Sequence, residues 1–266
     1  MATFDFLHPA KELYIKAHLA YFSFDLQRWR LCEPNAANGF WVVHLDTLLV
    51  SVALAVMFAI GLYLVARNFR QRHPNKIQVA VEMLVEAIDG LVTDIIGVRD
   101  DLASAIAFTT FSWIWLLNSC DFLPVDLMPR LLLRDFRMVP TDDPNCTFAL
   151  AFTIWLFCFY YLIRFKKLRG MFKEFCLEPF GIWLLPFNLA FKLVEQLVRP
   201  LSLSLRLYGN MFAGELVFLL IAMLPWWAQW PAGGAWAVFH VLVITIQAFV
   251  FMMLSVIYLN MSRQTD

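Results

Sequence analysis

The stretch Ile182–Met223, IWLLPFNLAFKLVEQLVRPLSLSLRLYGNMFAGELVFLLIAM, decides the architecture. It is apolar over far more than the roughly 20 residues a helix needs to cross a bilayer core. It nevertheless carries Lys192, Glu195, Arg206, Asn210 and Glu215. A charge deep in a membrane costs about 2.5–3.5 kcal/mol on insertion scales, so such groups are functional candidates. Arg206 sits among Leu201, Leu203, Leu205 and Leu207, too far from either end to snorkel easily. Pro186 and Pro200 are expected to bend or break a membrane-embedded helix.

The rest of the chain agrees. Of its 266 residues 61% are hydrophobic and 16% charged, against about 45–50% and 25% in soluble domains. That excess cannot be hidden in one soluble core. The fold class read from this is an all-α polytopic membrane protein with about five membrane-embedded helices plus interfacial ones. Upright spans are expected at 41–66, 102–119 and 147–163, followed by 182–223 and 236–259. Arg67, Arg70, Arg72 and Lys76 follow the first span, and Arg164, Lys166, Lys167, Arg169 and Lys173 follow the third. Such clusters mark the cytoplasmic side. The N-terminus and the 121–145 loop are then outside and the C-terminus cytoplasmic. Residues 1–40 lack a secretory pattern and read as an outer N-terminal segment, with weak amphipathicity over Pro9–Phe24. The whole, 1–266, reads as a single membrane domain.

Between the first two spans, Gln78, Glu82, Glu86, Asp89 and Thr93 recur every three or four positions and form one polar stripe. Residues 76–98 are expected to form an amphipathic helix at the membrane interface, which also suits docking of another subunit.

Other chemistries are poorly supported. Twenty-one Lys+Arg balance twenty-one Asp+Glu, so nucleic acid is not an expected partner. The five cysteines show no C-x-x-C; only Cys120 and Cys146 flank a common loop where a bridge is conceivable. The histidines are scattered, and no metal, cofactor or nucleotide signature is present. No cofactor and no metal are expected.

At about 100° per residue, Asn210 falls on nearly the same helix face as Arg206, and Glu195 does too, about 16 Å away. Glu215 falls on the opposite face. His240 and Gln247 are stacked two turns apart in the last span. Arginine keeps its proton in proteins, whereas glutamate and histidine exchange theirs. A fixed cation separated from a titratable Glu/His set suits a proton wire with an electrostatic stop. A buried Arg206–Glu215 pair that only joins helices is the plainer alternative, and Gln247 fits a packing hydrogen bond equally well.

The tract RPLSLSLRLYGNMFAGELVF (199–218) resembles subunit a of the bacterial F-type ATP synthase. The likeness continues in AVFHVLVITIQAFVFMMLSVIYLNMS (237–262), NSCDFLPVDLMP (118–129), VPTDDPN (139–145) and PFNL (186–189). The resemblance implies that Arg206 is the essential arginine facing the rotating c ring. It implies a proton path through Asn210, Glu215, His240 and Gln247, with Asn118 and Asp121 at the mouth of the outer half-channel. The last two helices would form a long tilted hairpin against the ring. Where the family often has Glu, fourteen residues before the arginine, this chain has Lys192; Glu195, on a similar face, is placed to take that role. Implied partners are the c-ring proteolipids, the b subunits of the peripheral stalk, other synthase subunits and the lipid bilayer. The implied location is the bacterial inner membrane. The chain itself would hold no ATP-synthesising site. Two other readings share some of these features: a secondary transporter or ion channel with an intramembrane Arg/Glu site, and a sodium-using synthase subunit.

Overall fold

The computed structural model describes residues 23–25, 29–31, 42–71, 73–122, 139–177 and 185–263. The expected outer segment 1–40, including Pro9–Phe24, lies almost wholly outside them, as does most of the 121–145 loop. Among the described residues there are six helices: α1 Leu45–Arg67, α2 Lys76–Ile96, α3 Asp101–Ser119, α4 Pro144–Leu177, α5 Leu185–Ala222 and α6 Trp226–Arg263. All but α2 are long and apolar enough to cross a membrane, so the chain is an all-α polytopic membrane protein. Its chain divides into two compact units. One comprises residues 1–61, 115–143 and 209–245, the other 62–114, 144–208 and 246–266.

The first unit contains a small sheet that helical periodicity did not announce. Its strands are β1 Ser23–Asp25, β2 Arg30–Leu31 and β3 Val42–His44, in the order β2-β1-β3, with Phe24 opposite both Leu31 and Val43. Strands of two or three residues are too short to show alternation. Where β3 passes into α1, Asp46 and Thr47 are buried. Thr47 Oγ1 donates to Asp143 Oδ2 at 3.2 Å, and His44 Nδ1 lies 3.1 Å from the same oxygen. This fastens the start of α1 to the 3-10 turn Pro140–Asp142. Beyond Thr47, α1 is exposed along Leu48, Val52, Val56 and Ile60, as expected of a helix surrounded by lipid.

The α5–α6 turn belongs to this unit too. Gln229 Nε2 donates to the carbonyls of Ala222 and Leu224, both at 2.8 Å. The side chain thus caps carbonyls that the end of α5 leaves without intrahelical partners. Pro225 O receives the N–H of Ala228 at 2.8 Å and opens α6. The last helix therefore begins ten residues before the expected 236, because Trp226–Gly234 is helical despite its Pro and Gly content.

The second unit has a continuous apolar core. Ile88 and Val92 of α2 meet Ala103, Ile106 and Ala107 of α3, Ile154 and Tyr161 of α4, Leu203 and Leu207 of α5, and Phe251, Met252 and Val256 of α6. Asp100 organises one end. Its Oδ1 accepts the N–H groups of Leu102 and Ala103 at 3.2 and 3.3 Å, capping α3. It also accepts Tyr161 Oη–H at 3.1 Å, while Arg263 Nη1 lies 3.9 Å from Oδ2.

The α2 helix starts at the cap Asn75 and stops at Gly97, whose φ of 77° is left-handed, a conformation glycine adopts without strain. Its polar stripe is not simply a solvent face. Gln78 is buried and hydrogen-bonds both backbone groups of Arg70, at 3.1 and 3.3 Å. Ser104 Oγ donates to Asp89 Oδ1 at 2.6 Å. Glu82 and Glu86 remain exposed, beside exposed Ile77 and Met83.

Neither expected proline break occurs. Pro186 stands in the first turn of α5, where it has no hydrogen bond to remove, and Pro200 lies within a continuous helix. The interruption falls instead in α4 at Lys167, with φ 55° and ψ 166°. Cys120 and Cys146 are both free thiols.

Candidate functional site

In the first unit the site is built around His240, which is 1% exposed. Its Nε2 lies 2.5 Å from Asp121 Oδ2, with both side chains buried. The two atoms are close without the alignment of a hydrogen bond. Asp121 stands in the single 3-10 turn Cys120–Phe122 that ends α3, which points its carboxylate across to α6. Asn118, three residues earlier, is fully buried, and neither its Oδ1 nor its Nδ2 has a hydrogen-bond partner among the described residues. Such groups are the kind that ordered water satisfies inside proteins.

α5 supplies the floor. The His240 ring rests against Gly214, where a Cβ would stand 2.4 Å from Cε1 and 3.0 Å from Nδ1. Only glycine fits. Glu215, the next residue, is buried. Phe218, one turn along, meets the imidazole edge-on at 5.3 Å between ring centroids.

Along α5 the polar residues divide by face. Arg206 and Asn210 are exposed, together with the small residues Ser202, Gly209 and Ala213, whereas Glu215 is buried. An exposed guanidinium in the middle of an apolar helix is costly against lipid, so this face suits a partner. Small residues beside it permit close approach of another helix.

In the second unit Glu195 is held by two cations. Lys192 Nζ lies 3.4 Å from Oε2, and Arg199 pairs with Oε1. The guanidinium of Arg199 also stands over the Tyr258 ring at 5.6 Å. Trp155 Nε1 donates to Gln196 Oε1 at 3.3 Å. Trp155, Gln196, Arg199 and Tyr258 border a small, partly open pocket whose walls include Cys158, Pro200 and Leu203. Gln247 is buried in this unit.

The structure thus brings Asp121 and His240 into contact and places Glu215 beside the glycine under the imidazole. Arg206 and Asn210 are displayed outward, and Glu195 belongs to an ion-pair cluster. Reading the sequence does not single out Arg199, Tyr258 or Trp236; Gly209 and Gly214 read there as residues that allow close helix approach, and at Gly214 the close neighbour is His240. Arg199 and Tyr258 lie within the quoted tracts as polar residues at helical spacing. Nothing in one sequence announces that Gly214 opposes His240.

Comparison with known proteins identifies the family. The family described as "ATP synthase A chain" matches residues 47–260. Subunit a of the ATP synthase of Coxiella burnetii (strain RSA 493 / Nine Mile phase I) is 43% identical over 256 residues, covering 95% of this chain and 96% of its own. The subunit from Alkalilimnicola ehrlichii is 42% identical over 246 residues, with 91% and 96% covered. That from Psychrobacter arcticus is 38% identical over 278 residues, with 95% and 96% covered. An outward arginine on an apolar helix, a buried carboxylate–imidazole contact and five membrane-capable helices therefore occur in a chain that belongs to the ATP synthase subunit a family, a multi-pass membrane component of the ATP synthase complex.

Proposed function

We propose that this chain is the proton-conducting stator subunit of its synthase, with two half-channels that load and unload a carboxylate on a ring of c subunits. The observation that supports this most is the outward position of Arg206 on α5 beside Ser202, Gly209 and Ala213. A helix carrying a carboxylate can approach closely there, and Arg206 would hold that carboxylate as an anion. The arginine cannot pass the proton on, so it also blocks direct leakage between the half-channels.

Protons enter from outside near Asn118 and Asp121. The protonated carboxyl of Asp121 gives its proton to His240 Nε2, leaving a carboxylate and an imidazolium 2.5 Å apart. The imidazolium yields the proton toward Glu215; Asn210, outward on α5 like Arg206, and buried Gln247 are neutral hydrogen-bonding groups of the same path. Glu215 then neutralises the ring carboxylate, which can pass through lipid only when uncharged. After nearly a full turn that group meets Arg206 and releases its proton to an inner path near Glu195, whose carboxylate stands between Lys192 and Arg199. The membrane potential supplies about 2.3 kcal/mol per charge per 100 mV.

In this reading α5 and α6, each of 38 residues, form a tilted hairpin against the ring. At about 1.5 Å per residue each is about 57 Å long, against a core of about 30 Å. The membrane is the bacterial inner membrane, with the N-terminus outside and the C-terminus cytoplasmic. The exposed face of α2 suits the b subunits of the peripheral stalk. All of 1–266 acts as one membrane domain.

Disulfide trapping tests the ring contact. Cysteines placed at Ser202 and Ala213 should cross-link to cysteines on the ring helices in the assembled complex, whereas one at buried Met211 should not. Equal trapping from all three positions, or none from the outward pair, would overturn the assignment.

A further inference from the structure

Three aromatic rings enclose the buried imidazole. Trp236, one turn before His240 on α6, lies 27° from parallel to it with centroids 6.2 Å apart. Phe218 of α5 and Phe122 at the end of the 3-10 turn meet it edge-on at 5.3 and 6.1 Å. Phe218 and Trp236 also contact each other at 6.4 Å, so the walls are continuous. Gly214 closes a further side. The charged neighbours on these elements are Asp121, in contact with Nε2, and Glu215, beside Gly214.

We propose that Trp236, supported by Phe218, is a positioning residue for the His240 proton station. This rests on the reading of His240 as part of the path. The indole face fixes the imidazole plane, so that Nε2 meets Asp121 instead of rotating about the side-chain torsions. It also favours the transient imidazolium through its π-electrons, as aromatic faces favour cations. The surrounding hydrocarbon keeps water off the ring on the sides where a proton would escape the path. Trp236 exchanges no proton itself and acts only through His240.

The test is a double-mutant cycle in the assembled synthase, read as ATP-driven proton pumping in inverted membrane vesicles, with assembly checked by recovery of the c ring and the ATPase. Trp236→Leu should slow pumping by about two- to tenfold, the range of an aromatic pair. Trp236→Phe should restore most of the rate, because it keeps the ring and loses only the indole N–H. In a His240→Gln background Trp236→Leu should slow pumping no further. Phe218→Leu should behave likewise, and it keeps the cycle informative where Trp236→Leu does not assemble. Losses that multiply in the double variant, or a Trp236→Phe variant as slow as Trp236→Leu, would overturn the positioning role while leaving His240 on the path. Full pumping by His240→Gln alone would instead refute the path reading, and this inference with it.

Discussion

Replacing Gly214 by alanine would set a methyl carbon 2.4 Å from His240 Cε1, 3.0 Å from Nδ1 and 3.3 Å from Nε2. Carbon atoms in good contact sit about 3.5–4.0 Å apart, so the ring must retreat by roughly 1 Å or more. Phe122, Phe218 and Trp236 stand around it, and the retreat is resisted. Overpacking of this kind typically costs about 1–3 kcal/mol. Part of the movement must be taken up as rotation away from Asp121, lengthening a 2.5 Å contact beyond the 2.6–3.2 Å useful for proton transfer. Misplacing a reacting group by about 1 Å can cost on the order of a hundredfold in rate. The expected outcome is ATP-driven pumping reduced about ten- to a hundredfold in vesicles whose synthase still assembles. Gly234→Ala is the control, since nothing lies within 4 Å of its added Cβ; it should pump normally. An assembled Gly214→Ala synthase that pumps at the wild-type rate would refute the argument.

Three further outcomes are expected. Asp100→Ala removes the cap of α3 and the acceptor of Tyr161, so the purified complex should lose about 1–3 kcal/mol of stability, visible as earlier thermal release of this subunit; an unchanged transition would contradict the anchoring role. Glu195→Gln leaves Lys192 and Arg199 without their shared carboxylate, and should slow proton flux in both directions with assembly retained; flux at the wild-type rate would remove Glu195 from the inner path. Activity in sodium-depleted buffer should match that in sodium-containing buffer, and a strict sodium requirement would replace the proton by sodium as the coupling ion.

Much of this was legible in the sequence because an apolar background makes polar residues conspicuous. Arg206, Glu215 and His240 stand out in that way, and helical spacing alone separates Arg206 from Glu215, now found exposed and buried respectively. What local pattern could not supply were features made by two distant segments. Gly214 reads in the sequence as a residue that allows close helix approach, but that the imidazole of α6 lies on it shows only in the fold. Trp236 reads as one more aromatic of a membrane helix, and its wall exists only with Phe218 and Phe122. Asp89 and Gln78 read as part of the polar stripe of an interfacial amphipathic helix, and only the fold shows their partners Ser104 and Arg70. The start of α6 was hidden because Trp226–Gly234 mixes Pro and Gly into a segment whose helical fate depends on Pro225 O and the Gln229 side chain. Pro200 reads as a bend or a break, and α5 continues through it without a break, with Leu203 and Leu207 buried in the core just beyond.

The most direct measurement is ATP-driven proton pumping by a synthase carrying Arg206→Ala, with co-recovery of the c ring and the ATPase as proof of assembly. Arg206 is exposed and supports no part of the apolar core, so assembly should persist. Pumping should be abolished, and vesicles stripped of the ATPase should pass protons without the stop the guanidinium provides. Normal pumping by the assembled Arg206→Ala complex would contradict the assignment of this arginine as the charge that separates the two half-channels.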